Sequence, residues 1–229
     1  MDIFKQLEKQ LVVSCQALED EPLHSSEIMG RMAIAAQQGG AKGIRANSVV
    51  DIQAIQKEVD LPIIGIIKQD YDDSSVFITP TLKEMKALLA VDVAIIATDA
   101  TDRTRPNQEQ LADLIEYVRL YGSDVKLMAD VSTVEEAITA EKLGFDCVST
   151  TLVGYTKQSE GMDMSHDDFK ILKEMVQSVS IPVVAEGKID TPQKARQALA
   201  NGAHFIVVGG AITRPQQITE RFSTAVKEI

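Results

Sequence analysis

The sequence predicts a single (β/α)8 barrel, the TIM-barrel fold class, with a short N-terminal helix. Apolar runs rich in β-branched residues alternate with helical patterns along the whole chain. These runs are continuously apolar, which is typical of strands covered on both faces in a parallel sheet. The 229 residues accommodate eight strand–helix units of about 28 residues each, with no linker or low-complexity stretch between them. We therefore expect one domain over residues 1–229.

Eight apolar runs are candidate strands. Four of the junctions leading into them have similar sequences, and in three of these a glycine fits the left-handed end of the preceding helix. These are GGAKGI at 39–44, LAVDVA at 89–94, LGFDCV at 143–148 and NGAHFI at 201–206. The predicted strands are Leu11–Cys15, Lys42–Ala46, Pro62–Lys68, Asp92–Thr98, Val125–Asp130, Asp146–Thr150, Pro182–Glu186 and His204–Gly209.

Helical segments separate these strands, the first at Ser25–Gln38 and the last at Pro215–Lys227. Two others, Gln110–Leu120 and Phe169–Val179, carry apolar residues at three- and four-residue spacing. Four helix starts carry capping signals. These are Thr81-x-x-Glu84, Ser132-x-x-Glu135, Thr213-x-x-Gln216 and Thr191-Pro192. We expect residues 1–10 to form a short helix that covers the N-terminal end of the barrel.

An open, doubly wound sheet is the alternative fold. It usually carries a glycine-rich dinucleotide loop after the first strand, whereas residues 14–17 read SCQA. The closed barrel is therefore the more economical prediction.

Composition and charge exclude several classes of function. The net charge of −11 argues against a broad nucleic-acid surface. No apolar run is long enough to span a membrane, and the charged N-terminal residues do not resemble a signal peptide. Cys15 and Cys147 are too few for a disulfide framework. We expect a cytoplasmic protein with two buried thiols.

Polar side chains stand where the predicted strands end. In barrels of this class the active site lies at the carboxyl ends of the strands, so these residues are the site candidates. They are Gln16, Arg45, Lys68, Asp130 and Glu186.

Lys68 and Glu186 are the candidates for acid–base chemistry because each follows a run of apolar residues. Desolvation and a neighbouring cation such as Arg45 would both lower the pKa of Lys68, which favours a neutral amine. Together with the two carboxylates, such a group suits proton transfer next to a carbonyl. Two carboxylates without a nearby histidine are a poor transition-metal site, so no metal is expected.

The loops after the last two strands are candidates for binding phosphate. Gly187 follows strand 7, and Gly209 and Gly210 follow strand 8, where many barrels bind phosphate through backbone N–H groups. Arg214 lies a few residues further on and could add charge-assisted hydrogen bonds.

The sequence resembles the N-acylglucosamine-6-phosphate 2-epimerase family, also called the N-acetylmannosamine-6-phosphate 2-epimerase family, of the ribulose-phosphate-binding barrel group. Each matching stretch is short, but their order along nearly the whole chain is specific. The stretches are VVSCQA at 12–17, EPLH at 21–24, GIRAN at 43–47, IGIIK at 64–68, VFITPT at 76–81, MADVST at 128–133, GYT at 154–156, AEG at 185–187 and VGGAITRP at 208–215.

The resemblance implies a bacterial enzyme of sialic acid catabolism that inverts C2 of N-acetylmannosamine 6-phosphate without an organic cofactor or metal. It implies that Lys68 exchanges the C2 proton and that Glu186 is its acid–base or enolate-supporting partner. It also implies a homodimer with terminal helices at the interface. Gln16, Arg45, Asp130 and Tyr155 would hold the sugar, and Gly187, Gly209, Gly210 and Arg214 its phosphate.

Several alternatives stay open from the sequence. Proton transfer could use one base, two bases or a hydroxyl of the substrate. An aldolase would instead form a Schiff base on Lys68. A barrel that only senses a sugar phosphate would not need Lys68 for affinity.

Overall fold

The computed structural model describes residues 2–122 and 124–227. Eight parallel strands pair in chain order, and the eighth pairs with the first, so the sheet closes into a barrel. This confirms the predicted (β/α)8 fold. The strands are β1 (Leu11–Cys15), β2 (Gly43–Asn47), β3 (Ile63–Ile66), β4 (Ile95–Asp99), β5 (Lys126–Asp130), β6 (Cys147–Ser149), β7 (Val183–Glu186) and β8 (Ile206–Val208).

Helices surround this barrel and cover one of its ends. Eight of them follow the strands as predicted, while α1 precedes β1 and the four-residue α9 precedes the last helix. The helices are α1 (Ile3–Leu7), α2 (Ser26–Gln38), α3 (Val49–Gln56), α4 (Leu82–Leu89), α5 (Leu111–Tyr121), α6 (Val134–Leu143), α7 (His166–Ser178), α8 (Pro192–Ala200), α9 (Gly210–Thr213) and α10 (Pro215–Lys227).

The core has two layers because successive side chains of a strand point to opposite faces of the sheet. Ile64 and Ile66 of β3 belong to the cluster inside the barrel. Ile63 of the same strand belongs to the larger cluster between the strands and the helices. Both faces are thus dry, which explains why the strands are continuously apolar in sequence. Cys15 and Cys147 are buried free thiols, as expected.

The N-terminal helix covers the end of the barrel where the strands begin. Leu7 of α1 is buried, and its Cδ2 lies 3.2 Å from the position that a Cβ on Gly43 would occupy. The ring of His204, just before β8, bonds through Nε2 to the carbonyl oxygen of Phe4 at 2.8 Å. The predicted position of this helix is therefore confirmed, but it spans only Ile3–Leu7 and is shorter than the predicted residues 1–10. Met1 lies outside the described residues.

Two of the four predicted helix starts are correct. Thr81 and Glu84 form the capping box of α4, and the Thr191 hydroxyl caps α8. The prediction for α6 was wrong by one residue, because the box consists of Thr133 and Glu136. The prediction at Thr213 was also wrong. This threonine lies at the end of α9, and its hydroxyl donates to the carbonyl oxygen of Ser14 at 2.9 Å.

Glu136 holds together more than its own helix. Its Oε2 accepts from the Ser132 N–H at 2.7 Å, from the Ser132 hydroxyl at 2.8 Å and from the Thr133 N–H at 3.0 Å. Its Oε1 accepts from the Asp102 N–H at 3.1 Å, which ties the loop after β4 to α6. Within residues 2–122 and 124–227, no helix is long and apolar enough to cross a membrane.

We predict that Glu136→Ala destabilises the protein by about 1–3 kcal/mol, because it leaves several buried donors without an acceptor. The matched control is Glu135→Ala, which removes the exposed glutamate one position earlier. This control should change the free energy of unfolding by less than about 0.5 kcal/mol. Urea unfolding followed by circular dichroism measures both. Equal losses from the two variants would contradict the assigned capping box.

Candidate active site

A cavity of about 530 Å³ opens at the carboxyl ends of the strands. It lies there because the inward positions of the strands are apolar in their first half and polar at their ends. Nine of the ten predicted site residues line it, Asp130 being the exception. These nine are Gln16, Arg45, Lys68, Tyr155, Glu186, Gly187, Gly209, Gly210 and Arg214.

Arg45 occupies the floor of this cavity and is 1% exposed. Its guanidinium pairs with the carboxylate of Asp130 from β5, with Nη2 2.5 Å from Oδ2 and Nη1 3.1 Å from Oδ1. Nη1 also lies 2.6 Å from Oε2 of Glu186 on β7. Burial alone would lower the pKa of Arg45, but the two carboxylates raise it, so the guanidinium stays charged. A fixed cation therefore stands beside the candidate acid.

Thr151 links the two carboxylates from the loop after β6. Its hydroxyl lies 2.7 Å from Oδ1 of Asp130 and 3.3 Å from Oε2 of Glu186. Burial raises the pKa of Glu186 to about 7, and Asp130 adds to this rise while Arg45 opposes it. The Glu186 carboxyl can therefore exchange a proton near neutral pH.

Lys68 approaches the cavity from a loop, two residues beyond the end of β3. The sequence placed it within the strand, but β3 ends at Ile66 because the chain turns back there to bridge Lys68 to Ile78. The backbone N–H of Lys68 donates to the Asn47 side chain at 2.7 Å. This contact fixes the start of the loop against the end of β2.

The ammonium of Lys68 is held in an environment that favours its neutral form. Burial, with the nearby guanidiniums of Arg214 and Arg45, lowers the pKa of Lys68 to about 8. Glu186 and Glu21 oppose this shift. Among residues 2–122 and 124–227, no carboxylate lies within salt-bridge distance of the Lys68 Nζ. The direction of the shift agrees with the expectation from the sequence.

The loops after β7 and β8 form another wall of the cavity, which consists of glycine backbone and the guanidinium of Arg214. Gly187 has φ +101°, a conformation that L side chains rarely adopt. At Gly210 a Cβ would lie 2.1 Å from Oε1 of Gln217, a contact that the exposed Gln217 side chain could relieve by moving. Arg214 reaches the cavity after α9, and its Nε bonds to Oε1 of Glu21 at 2.5 Å. This combination of close backbone and cation is suited to an anion.

Gln16 and Tyr155 lie at different depths. Gln16 is buried, and its amide donates to the Ser14 hydroxyl at 2.7 Å. Tyr155 is 60% exposed at the rim, with its ring centroid 5.6 Å from the Nζ of Lys188. Both can contact a bound ligand.

Asp130 is not part of the cavity wall. It is fully buried behind Arg45, and its two oxygens accept from that guanidinium and from Thr151. The sequence placed it correctly at the end of β5 but could not show that Arg45 stands between it and the cavity.

Sequence reasoning missed other residues of the wall. Ser14 lies one position before the end of β1, and Lys188 follows Gly187 directly, so the strand-end rule could have found both. Arg221 also lines the cavity, but it comes from α10, far from any strand end. In the part of the chain that the structure describes, no cluster of three His, Cys, Asp or Glu side chains could hold a metal ion.

Comparisons with known proteins identify the family of this chain. The family model described as "Putative N-acetylmannosamine-6-phosphate epimerase" matches residues 29–228. A "Putative N-acetylmannosamine-6-phosphate 2-epimerase" from Shouchella clausii is 58% identical over 225 residues, covering 98% of this chain and 99% of the relative. A protein of the same designation from Enterobacter sp. is 58% identical over 221 residues, covering 96% of this chain and 94% of the relative.

Solved structures extend the comparison. The N-acetylmannosamine-6-phosphate 2-epimerase from Clostridium perfringens superposes with a TM-score of 0.94 at 56% identity, covering 98% of this chain and 96% of that one. Thiamine phosphate pyrophosphorylase from Pyrococcus furiosus gives a TM-score of 0.61 at 21% identity, covering 99% of this chain and 98% of that one, which shows a shared fold alone. The chain belongs to the N-acetylmannosamine-6-phosphate epimerase family.

Proposed function

We propose that this protein is an isomerase that inverts C2 of N-acetylmannosamine 6-phosphate to give N-acetylglucosamine 6-phosphate. The observation that carries the proposal is the pairing, in one cavity, of an amine with a lowered pKa and a carboxyl with a raised pKa beside a fixed guanidinium. Family membership supports the choice of substrate. We place the reaction in amino-sugar (sialic acid) catabolism in the bacterial cytoplasm.

The chemistry is a deprotonation followed by a reprotonation. In the open-chain sugar the C2 hydrogen is next to the C1 aldehyde, so neutral Lys68 can remove it and leave an enolate. The C2–H electron pair moves into the C1–C2 bond, and negative charge develops on the aldehyde oxygen. A proton returned to the opposite face of C2 completes the inversion. No electrons are gained or lost, so the reaction balances without an organic cofactor or metal.

Arg45 and Glu186 are suited to stabilise the enolate. A preorganised donor near developing negative charge is typically worth about 3 kcal/mol in the transition state. Glu186, protonated near neutral pH, can donate to the oxygen or return the proton to C2. Asp130 acts in this proposal as a positioning residue that orients Arg45, instead of a direct substrate contact. Gln16 and Tyr155 would contact the sugar and its N-acetyl group.

The phosphate group would bind at the wall formed by the last two loops. Gly187, Gly209 and Gly210 offer backbone N–H groups there, and Arg214 offers a cation. Binding energy from this remote group can orient C2 relative to Lys68.

We also propose that the protein is a homodimer that associates through α10. None of the residues in Pro215–Lys227 is buried, although the helix has an apolar face with Phe222 and Val226 more than two-thirds exposed. A second, mostly apolar cavity of about 280 Å³ lies beside β1 and β8, lined in part by Leu11, Ile206 and Val208. A helix from a second copy would cover this surface. Unpartnered apolar faces of this kind are uncommon on monomers.

Lys68→Ala is expected to lower kcat by about 10²–10⁴-fold, because it removes the base. The matched control is Lys42→Ala, an exposed lysine at the opposite end of the barrel, which should keep wild-type activity. Proton NMR of N-acetylmannosamine 6-phosphate in D2O follows both turnover and deuterium entry at C2. Wild-type turnover without any C2 exchange would argue against an enolate, and a Lys68→Ala variant with more than about a tenth of wild-type kcat would remove Lys68 from this role.

The pH dependence of kcat/KM should be bell-shaped, with flanks near pH 7 and near pH 8. An active form with neutral Lys68 and protonated Glu186 gives this bell shape. An active form with protonated Lys68 and ionised Glu186 gives the same shape. Glu186→Gln separates the two assignments. If Lys68 is the base, the residual activity rises through one flank near or slightly below pH 8, because Glu186 no longer raises the pKa of Lys68. Residual activity that falls through this pH range would make Lys68 the acid instead.

Phe222→Glu is expected to convert a dimer into monomers, because a charge in the centre of an apolar interface is costly to bury. The control is Leu120→Glu on α5, where the leucine is 69% exposed and lies on another helix. Light scattering coupled to size exclusion gives the mass of each. A wild-type protein that elutes at 25.0 kDa would contradict the dimer.

A further inference from the structure

The loop after β1 contains an acidic residue that the proposed mechanism does not use. Glu21 belongs to the EPLH stretch at 21–24 and is mostly buried, with its side chain 16% exposed. Its carboxylate stands next to Arg214, on the wall where the phosphate would bind. An acid in this place requires an explanation, because a carboxylate repels a phosphate.

Three residues donate four hydrogen bonds to this carboxylate. Oε1 accepts from Arg214 Nε at 2.5 Å and from the Gln216 amide at 3.0 Å. Oε2 accepts from Arg214 Nη2 at 3.0 Å and from the Leu18 N–H at 2.7 Å. Glu21 therefore joins its own loop to the segment between α9 and α10 and holds the guanidinium by two atoms.

The hydrogen bonds between Glu21 and Arg214 determine which N–H groups of the guanidinium remain available to a ligand. A guanidinium has five N–H groups arranged in a planar fork. The Glu21 carboxylate accepts hydrogen bonds from Nε–H and from one hydrogen of Nη2, which lie on the same side of the guanidinium. Within the described residues, the hydrogens of Nη1 and the second hydrogen of Nη2 have no acceptor. These three donors form the end of the fork, which can bind two oxygens of a phosphate.

We infer that Glu21 is a positioning residue for phosphate binding, which fixes the guanidinium of Arg214 so that its free end faces the anion. The inference rests on the proposed function, since the anion is the 6-phosphate of the proposed substrate. An arginine without this partner would be ordered only when the ligand binds, and the lost rotamer freedom would weaken binding.

The positioning role predicts that Glu21→Gln weakens phosphate binding, whereas simple electrostatics predicts that it strengthens phosphate binding. Glu21→Gln removes a negative charge, so a purely electrostatic neighbour would bind phosphate more tightly after the substitution. Loss of positioning instead raises KM for the hexosamine 6-phosphate by about tenfold. The change in kcat stays below about threefold, because within the described residues Glu21 makes no hydrogen bond to Lys68 or Glu186. The inhibition constant of inorganic phosphate, used as a competitor, should rise by a similar factor.

A double-mutant cycle with Arg214→Gln tests whether Glu21 acts through Arg214. The Glu21→Gln change should have no further effect on KM once Arg214 is replaced, whereas a general structural role would give additive losses. The control is Glu19→Gln, an exposed glutamate of the same loop. If Glu21→Gln does not fold, Glu21→Asp keeps the charge but is one methylene shorter, and it should also raise KM because it cannot reach both nitrogens.

The outcomes separate the two proposals. Wild-type protein that does not turn over the hexosamine phosphate contradicts the proposed function. Active wild type with an unchanged or lower KM in Glu21→Gln, or additive effects in the cycle, overturns the positioning role.

Discussion

The site is organised around the buried guanidinium of Arg45 and the carboxylates that pair with it. Arg45 is the largest of the fully buried side chains, and a guanidinium in the interior of a barrel is costly unless carboxylates pair with it. The partners come from β5 and β7, on the far side of the closed sheet, and Thr151 joins them. Burial raises the pKa of Glu186, and Arg45 and Asp130 shift it further in opposite directions. Arg45 and Glu186 also act on the pKa of Lys68. Structure and chemistry therefore depend on a single set of contacts.

Much of the fold could be predicted because its signals are local. Continuous apolar runs marked all eight strands, and the rule that active sites lie at strand ends located Gln16, Arg45, Lys68 and Glu186 in the cavity. One error arose where neighbouring residues compete for the same role. Ser132 and Thr133 could each cap α6, and only the packing of Glu136 against both decides between them. The position of Asp130 behind Arg45 is a property of the closed barrel, which no linear pattern records.

The chain carries a net charge of −11, and the proposed substrate is also an anion, so attraction must be local. The structure shows how this local field is built. Lysines and arginines that are far apart in sequence gather at one end of the barrel. The cations come from β2, the loops after β3 and β7, the junction between α9 and α10, and α10 itself. Because the cations are concentrated at the cavity, the net charge of the chain does not predict the charge of its ligand.

The short helix α1 has a consequence for how the chain is made. It precedes all eight strands, yet the carbonyl oxygen of Phe4 bonds to the ring of His204, which is 200 positions later. Lys9 likewise bonds to the carbonyl of His204 at 2.7 Å. Contacts over such a separation form late, because the entropy of a long loop must be lost before they form. The contacts of α1 therefore depend on the segment before β8, and this end of the barrel is closed only after that segment has been synthesised.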